Sequence, residues 1–339
     1  MEIGLRMPPC EPIPQLAEFA ANVEEAGFDG LYVPDSQTLW RDAYLTLYAA
    51  ATRTKQLALG TAVSNVVTRH PTVIASLARS VDEIAPRRFF LGLGVGHSSI
   101  EQIGERPSRS AELTDKVAEI RRLVRGEDVN YGCGQARVRA PRPYNLPIHI
   151  AATGPRNLQM AGAIGDGIIL LSGVSEPRLK SSLELIHHGA EQAERNPDEL
   201  DITVSAHALV TERPERDARQ LKPVLATMAQ RGGQRGLEAS GIHVKIPQHV
   251  PEVKPDLVHA EDWDLAVDVC SRWISDSDAL TFAREFCLFG TPRDIAEQIQ
   301  KVSALGVTKI FIQHVGSWDL PHELVTSFGG QVLPLLRDL

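Results

Sequence analysis

A chain of 339 residues with 43% hydrophobic and 23% charged side chains has the balance of a globular protein, long enough for one large α/β barrel or two smaller domains. Its 35 lysines and arginines against 43 aspartates and glutamates give a formal charge of −8 with no basic block, which argues against nucleic acid as a partner. The four cysteines, Cys10, Cys133, Cys270 and Cys287, lie far apart with no C-x-x-C pair. Neither a disulfide framework nor a metal site is expected. No apolar run reaches about 18 residues, and the opening MEIGLRMPPC lacks the basic and apolar blocks of a signal peptide. The expectation is a cytoplasmic protein with no membrane partner.

Continuous apolar runs, buried on both faces, predict about eight strands, over 3–5, 30–33, 57–63, 89–94, 148–152, 168–171, 202–210 and 310–312. Helical segments separate most of them, over 12–26, 42–51, 72–84, 111–123, 156–164, 176–193 and 215–228, with a last helix over 321–336. One αβ step recurs. LAEFAANVEEAGFDGLYV and IAEQIQKVSALGVTKIFI align without a gap, Gly27 on Gly306, and MAGAIGDGIILL is a looser copy with Gly165 as the helix stop. Eight such units predict a TIM (β/α)8 barrel as a single domain over 1–339; an open doubly wound sheet is the alternative. Two insertions interrupt the rhythm. The first, about 126–146 after strand 4, reads as a small hairpin around Gly132–Gly134. The second, about 231–290 after strand 7, is too long for a connector and is either a lid or interface element or a loose surface loop.

In this fold the chemistry gathers where strands end. The second strand ends in VPDSQTLWRD, so Asp35 is either a carboxylate at the barrel mouth or a helix cap, with Trp40 five residues on. The third ends in LGTAVSNVVTRHP, where small and β-branched residues suit a bulge and close approach to a flat ligand. The fourth, FFLGLGVGHSS, carries Gly92, Gly94 and Gly96, followed by His97, Ser98 and Ser99 at the rim. A dinucleotide loop needs G-x-G-x-x-G, and neither counting frame supplies the third glycine. The alternate glycines are expected instead to clear one face of the strand end for a planar group. The fifth and sixth strands end in AATGPRNLQ and LLSGVSEPR, each with a hydroxyl and a glycine just ahead of a helix, as a phosphate site would require.

Taken together, GFDGLYVPDSQTLWRD, LGTAVSNVVTRHP, FFLGLGVGHS and AATGPRNLQMAGAIGDGIILLSG resemble the bacterial-luciferase-like flavin superfamily, closest to its coenzyme-F420-dependent, methylenetetrahydromethanopterin reductase-like branch. The resemblance runs over nearly the whole chain. It implies a barrel, usually a homodimer, that holds a flavin or deazaflavin in its mouth and passes hydride to or from the ring. It further implies a bulged third strand with a non-prolyl cis peptide against one ring face. On this chain Ala62, Val63, Ser64 and Asn65 would back the ring. Asp35 and Ser36 would lie along its edge, Gly96, His97 and Ser98 at the rim, and Ala152, Thr153 and Gly154 with Ser172 and Gly173 around the phosphate. Asp35, His97 and Trp40 would be the catalytic set. Many relatives carry histidine where this chain has Ser36, and several carry an acid at the place of His97, so His97 is the candidate to replace the missing histidine.

The implied function is an F420-dependent oxidoreductase acting on a small molecule. An FMN-dependent monooxygenase is the alternative within the fold, and a cofactor-free lyase, isomerase or binding barrel is a third reading. No strand end carries a lysine for Schiff-base chemistry, which counts against the last.

Overall fold

The computed structural model describes residues 1–139, 145–316 and 318–337. The apolar runs become parallel strands in chain order: β1 (Glu2–Arg6), β2 (Gly30–Val33), β3 (Ala58–Thr61), β4 (Phe89–Gly94), β5 (Ile148–Ala152), β6 (Gly167–Leu170), β7 (Asp201–Val210) and β8 (Lys309–Gln313). Each pairs with its neighbour, β7 pairs with both β6 and β8, and β8 returns to β1, so the sheet closes as a (β/α)8 barrel. The open sheet is thereby excluded. The register is continuous, for example Leu31 opposite Leu5 and Leu59.

Closure creates an interior that strand periodicity alone fills. Tyr32, Phe90, Ile169 and Phe311, one from every second strand, form a layer across the barrel. Tyr32 lies 5.3 Å from the Phe90 ring and 5.1 Å from the Phe311 ring. Small residues on the intervening strands make room: a Cβ on Gly4 would fall 2.2 Å from the Tyr32 ring, and one on Gly60 2.2 Å from that of Phe90.

The recurring αβ step is real at its two close copies. Gly27 and Gly306 both stand at φ 89° and end their helices, Ile13–Glu25 and Pro292–Ser303. Gly165 differs, with an extended φ of −81°. It is small because its Cβ would meet the Gly167 carbonyl oxygen at 2.6 Å. The helix expected over 215–228 is broken into Pro214–Asp217, a 3-10 turn Ala218–Leu221 and Lys222–Met228.

The chain groups into two compact units. One comprises Met1–Ser172, Lys180–Ser205 and Gly306–Phe311, the other Gly173–Leu179, Ala206–Leu305 and Ile312–Leu339. The second unit contains the 231–290 segment, which is no loose loop. It holds the helices Gln234–Ala239, Trp263–Cys270 and Asp276–Phe286, whose Leu237, Ala266, Phe282 and Phe286 share a buried core with Leu221 and Leu225. Asp262 caps its helix by accepting from the Leu265 N–H at 2.9 Å, Trp263 donates to the Gln220 carbonyl, and Trp273 packs on that core. The hairpin of the first insertion pairs Val129–Tyr131 antiparallel to Gly134–Ala136. Positions 140–144 of that insertion lie outside the described residues. Among the described residues, no helix is long and apolar enough to cross a membrane.

Candidate active site

The end of β2 is tied down by charge. Asp35, 5% exposed, accepts from Arg69 Nε at 2.8 Å and Nη2 at 2.9 Å, and from the Ser64 hydroxyl at 2.6 Å. Arg69 also donates to Asp42 at 2.7 Å, and Asp42 caps the next helix through the Leu45 N–H. Burial opposes the charged form of Asp42, but the Leu45 N–H and the Arg69 guanidinium outweigh it and hold its carboxyl below the usual range. Burial likewise opposes the Arg69 charge, and the two carboxylates overcome it, leaving its pKa above the ordinary value. Both Asp35 oxygens are therefore occupied by donors. The arrangement fixes the loop after β3 to the end of β2, a positioning task. Trp40 is buried beside this network in sequence, its backbone N–H donating to the Ser36 carbonyl at 2.9 Å.

That loop is bulged, as the small residues suggested. Gly60 lies opposite Phe90 and Ser64 opposite Leu93, so β3 advances four residues while β4 advances three. Thr61 repairs the interrupted ladder: its hydroxyl donates to the Gly92 carbonyl at 2.7 Å and accepts from the Gly92 N–H at 2.9 Å. The Ala62–Val63 peptide is cis. Ser64 and Asn65 are buried and their side chains are spent locally. The Asn65 carbonyl accepts from the Val67 and Thr68 N–H groups, and its amide donates to Ser99 Oγ at 3.1 Å.

The glycines of β4 serve a different purpose from the one expected. A Cβ on Gly92 would lie 1.9 Å from the Thr61 carbonyl oxygen, one on Gly94 2.9 Å from Val63 Cγ2, and one on Gly96 1.9 Å from Ile100 Cδ1. The cleared space is filled by the chain itself. Gly92 and Gly94 let the bulge press against β4, while Gly96, just beyond the strand, makes room for Ile100; the bulge in turn presents Ala62 and Val63, both partly exposed, over the Tyr32–Phe311 layer together with Ala151. Leu171, next in alternation after Ile169, is 41% exposed. At the rim Ser36 and Ser98 hydroxyls meet at 3.0 Å, and Gln37 donates to the Ser99 carbonyl. His97 is exposed, with Nδ1 3.9 Å from Glu101 Oε1.

The two phosphate candidates divide. Gly154, at φ 75°, precedes the ten-residue helix Pro155–Ile164, gives it no side-chain cap, and has open space where a Cβ would be. Thr153 and Gly154 are exposed and Ala152 is buried beneath them. Gly173, at φ 97°, instead lies against the Glu285 carbonyl, 2.8 Å from where its Cβ would be, and that carbonyl accepts from the Val174 and Ser175 N–H groups. The donors of that turn are already used. Ser172 Oγ is buried and has no hydrogen-bond partner among the described residues.

Two interior residues escaped the sequence reading. His149, 3% exposed, stacks on Phe90 at 4.3 Å, and burial, only partly offset by Asp201, lowers its pKa to about 4. Arg6 closes β1; its signal in the sequence is a charge inside the apolar run IGLRM.

An apolar floor, an uncapped helix N-terminus and an orphaned hydroxyl fit a flat ring with an anionic tail, the outline of a flavin or deazaflavin. The sequence profile of the family described as luciferase-like monooxygenase matches residues 2–309. A 5,10-methylenetetrahydromethanopterin reductase of Methanolobus tindarius is 28% identical over 320 residues, 91% of this chain and 93% of its own. An F420-dependent glucose-6-phosphate dehydrogenase of Nakamurella multipartita is also 28% identical, over 96% and 93% of the two chains. Among solved structures, the coenzyme F420-dependent tetrahydromethanopterin reductase from Methanopyrus kandleri superposes with a TM-score of 0.78 at 21% identity, covering 98% of each chain. With its closed barrel and a family match from the first strand into the last, this chain belongs to the luciferase-like monooxygenase family.

Proposed function

We propose that this protein is a coenzyme-F420-dependent oxidoreductase that transfers hydride between the deazaflavin and a small organic substrate. The observation that carries it is the pairing, in one unit, of the apolar floor Ala62, Val63 and Ala151 with the open helix N-terminus at Gly154. Relatives named for F420-dependent reduction and dehydrogenation at 28% identity over nearly the whole chain support the same choice. When bound, the deazaflavin supplies a two-electron hydride carrier; the protein supplies binding, orientation and protons. The backbone donors after Gly154 hold the phosphate, with Thr153 and the Ser172 hydroxyl beside them as ligands. Ala62, Val63, Ser64 and Asn65 back the ring through main chain and small side chains. Asp35 and Arg69 keep that bulge in place. Ser36, Gly96 and Ser98 form the rim, Gly173 shapes the turn after Ser172, and Trp40 walls the substrate side. His97 stands at the rim as the residue that moves a proton, its Nδ1 toward Glu101.

The protein acts as one barrel domain over 1–339 with insertions at 126–146 and 231–290, in the cytoplasm and as a homodimer. Support for the homodimer is the exposure of Leu45, Tyr48, Val67 and Val73 on and between two successive helices, Ala43–Arg53 and Pro71–Ile84.

Fluorescence titration of the purified protein with F420 and with FMN is the test. F420 is expected to bind and FMN not, and Gly154→Val to weaken F420 at least about tenfold. Binding of FMN alone would turn the assignment to an FMN-dependent monooxygenase, the chemistry in the family's description. Binding of neither would leave a cofactor-free barrel.

A further inference from the structure

Arg6 is the last residue of β1, and the side-chain alternation of a strand puts it on the same face as Glu2 and Gly4. That face is the inside of the barrel, because Gly4 lies against the ring of Tyr32. At the N-terminal end of the interior, Glu2 pairs with Lys309 at 3.3 Å and Lys309 with Asp201 at 2.6 Å. Arg6 therefore stands inside the barrel at its C-terminal end, where barrel enzymes hold their substrates.

The guanidinium is partly buried, and among the described residues it makes no ion pair and no hydrogen bond. The other partly buried arginines of this unit are all engaged. Arg69 meets two aspartates, Arg88 the Leu57 carbonyl, Arg121 Asp166 and Arg195 the Gly162 carbonyl. The titratable group nearest Arg6 in effect is the Cys10 thiol, and burial draws the guanidinium down to about 10. A cation taken from water without a partner lowers stability. Residues of this kind persist where a ligand completes them. Lys309 is already neutralised by two carboxylates, whereas Arg6, acted on by the Cys10 thiol, has no carboxylate partner among the described residues and presents a planar fork, which matches one carboxylate in a bidentate grip.

We propose that Arg6 is a substrate-recognition residue whose guanidinium binds a carboxylate group of the substrate at the mouth of the barrel. As a statement about substrate class it rests on the oxidoreductase reading above; as an anion site it stands by itself. The reaction would then handle a small carboxylic acid bearing the oxidisable or reducible carbon elsewhere in the molecule.

The test needs no turnover. Acetate, and acetamide as its neutral isostere, are titrated into the wild-type protein, Arg6→Met and Arg6→Lys in chloride-free buffer by calorimetry, and the melting temperature of each is recorded. Wild type is expected to bind acetate saturably and ignore acetamide. Arg6→Met is expected to lose at least about tenfold in affinity, and Arg6→Lys to keep part of it, with the charge but not the fork. Arg6→Met is also expected to melt no lower than wild type, since an unpaired charge has been removed. Equal acetate binding by Arg6→Met, or no saturable binding by wild type up to about 0.1 M, overturns the proposal. So does a lowered melting temperature in Arg6→Met with acetate binding unchanged. F420 titrated in parallel separates the two ideas. If F420 fails while acetate depends on Arg6, the cofactor reading falls and the anion site stands; if F420 binds while acetate ignores Arg6, only the anion site falls.

Discussion

Asp35 shows how position and environment can assign one side chain different work. A carboxylate at the end of a barrel strand invites a catalytic reading, yet both its oxygens are gripped by Arg69 and one also accepts from Ser64. Such a group holds geometry for others. His149 is the opposite case, a titratable side chain buried against Phe90 whose lowered pKa ties stability to pH. Its folded pKa, about 4, lies below the ordinary 6.5, so below pH 6.5 the unfolded chain binds the extra proton. Its contribution is complete above pH 6.5 and is lost as pH falls through 4. Urea unfolding between pH 7 and pH 4 should show a loss of the order of 3 kcal/mol that His149→Gln lacks. A variant with the same pH slope as wild type would place the effect elsewhere.

At the scale of elements, the bulge after β3 and the glycines of β4 form one device. Thr61 and Gly92 exchange two hydrogen bonds through the threonine hydroxyl, and the fit leaves no room for a methyl group at Gly92. Gly92→Ala should therefore lower unfolding free energy by about 1–3 kcal/mol and weaken F420 in the same titration. An alanine variant as stable as wild type would mean the bulge is free to move. The comparison of Gly27, Gly165 and Gly306 makes a related point. All three follow a helix and precede a strand, but two are needed for a left-handed backbone and the third for a close approach to a carbonyl. A glycine in a sequence states that a side chain is absent and leaves the reason open.

At the scale of the whole molecule, the exposed Leu45 (62%), Tyr48 (48%) and Val73 (45%) are the apolar surface most in need of a cover in the first unit. Leu45→Arg is expected to shift the protein from dimer to monomer in sedimentation or light scattering, with the fold intact by circular dichroism. Wild type running as a monomer at micromolar concentration would remove the homodimer from the assignment. The 231–290 segment also belongs to this scale. Its sequence carries no recognisable motif, yet it supplies three helices and most of the core cluster they share with Leu221 and Leu225.

By itself, the sequence determined the parallel α/β class and the family, and favoured the barrel that closure of the sheet then separated from the open alternative. Continuous apolar runs separated by helical periods can be buried on both faces only in a parallel sheet, and eight of them close on themselves. These are local signals, and they survived folding at all eight strands. Only the tertiary structure decided what the polar and small residues at the strand ends do. Whether Asp35 is free or gripped depends on Arg69, distant in the chain, and whether a glycine clears space for a ligand or for the chain depends on what lies across the ladder. Arg6 takes its meaning from the carboxylates that, among the described residues, do not reach it, because a charge acquires its energy from neighbours that folding alone brings near or keeps away.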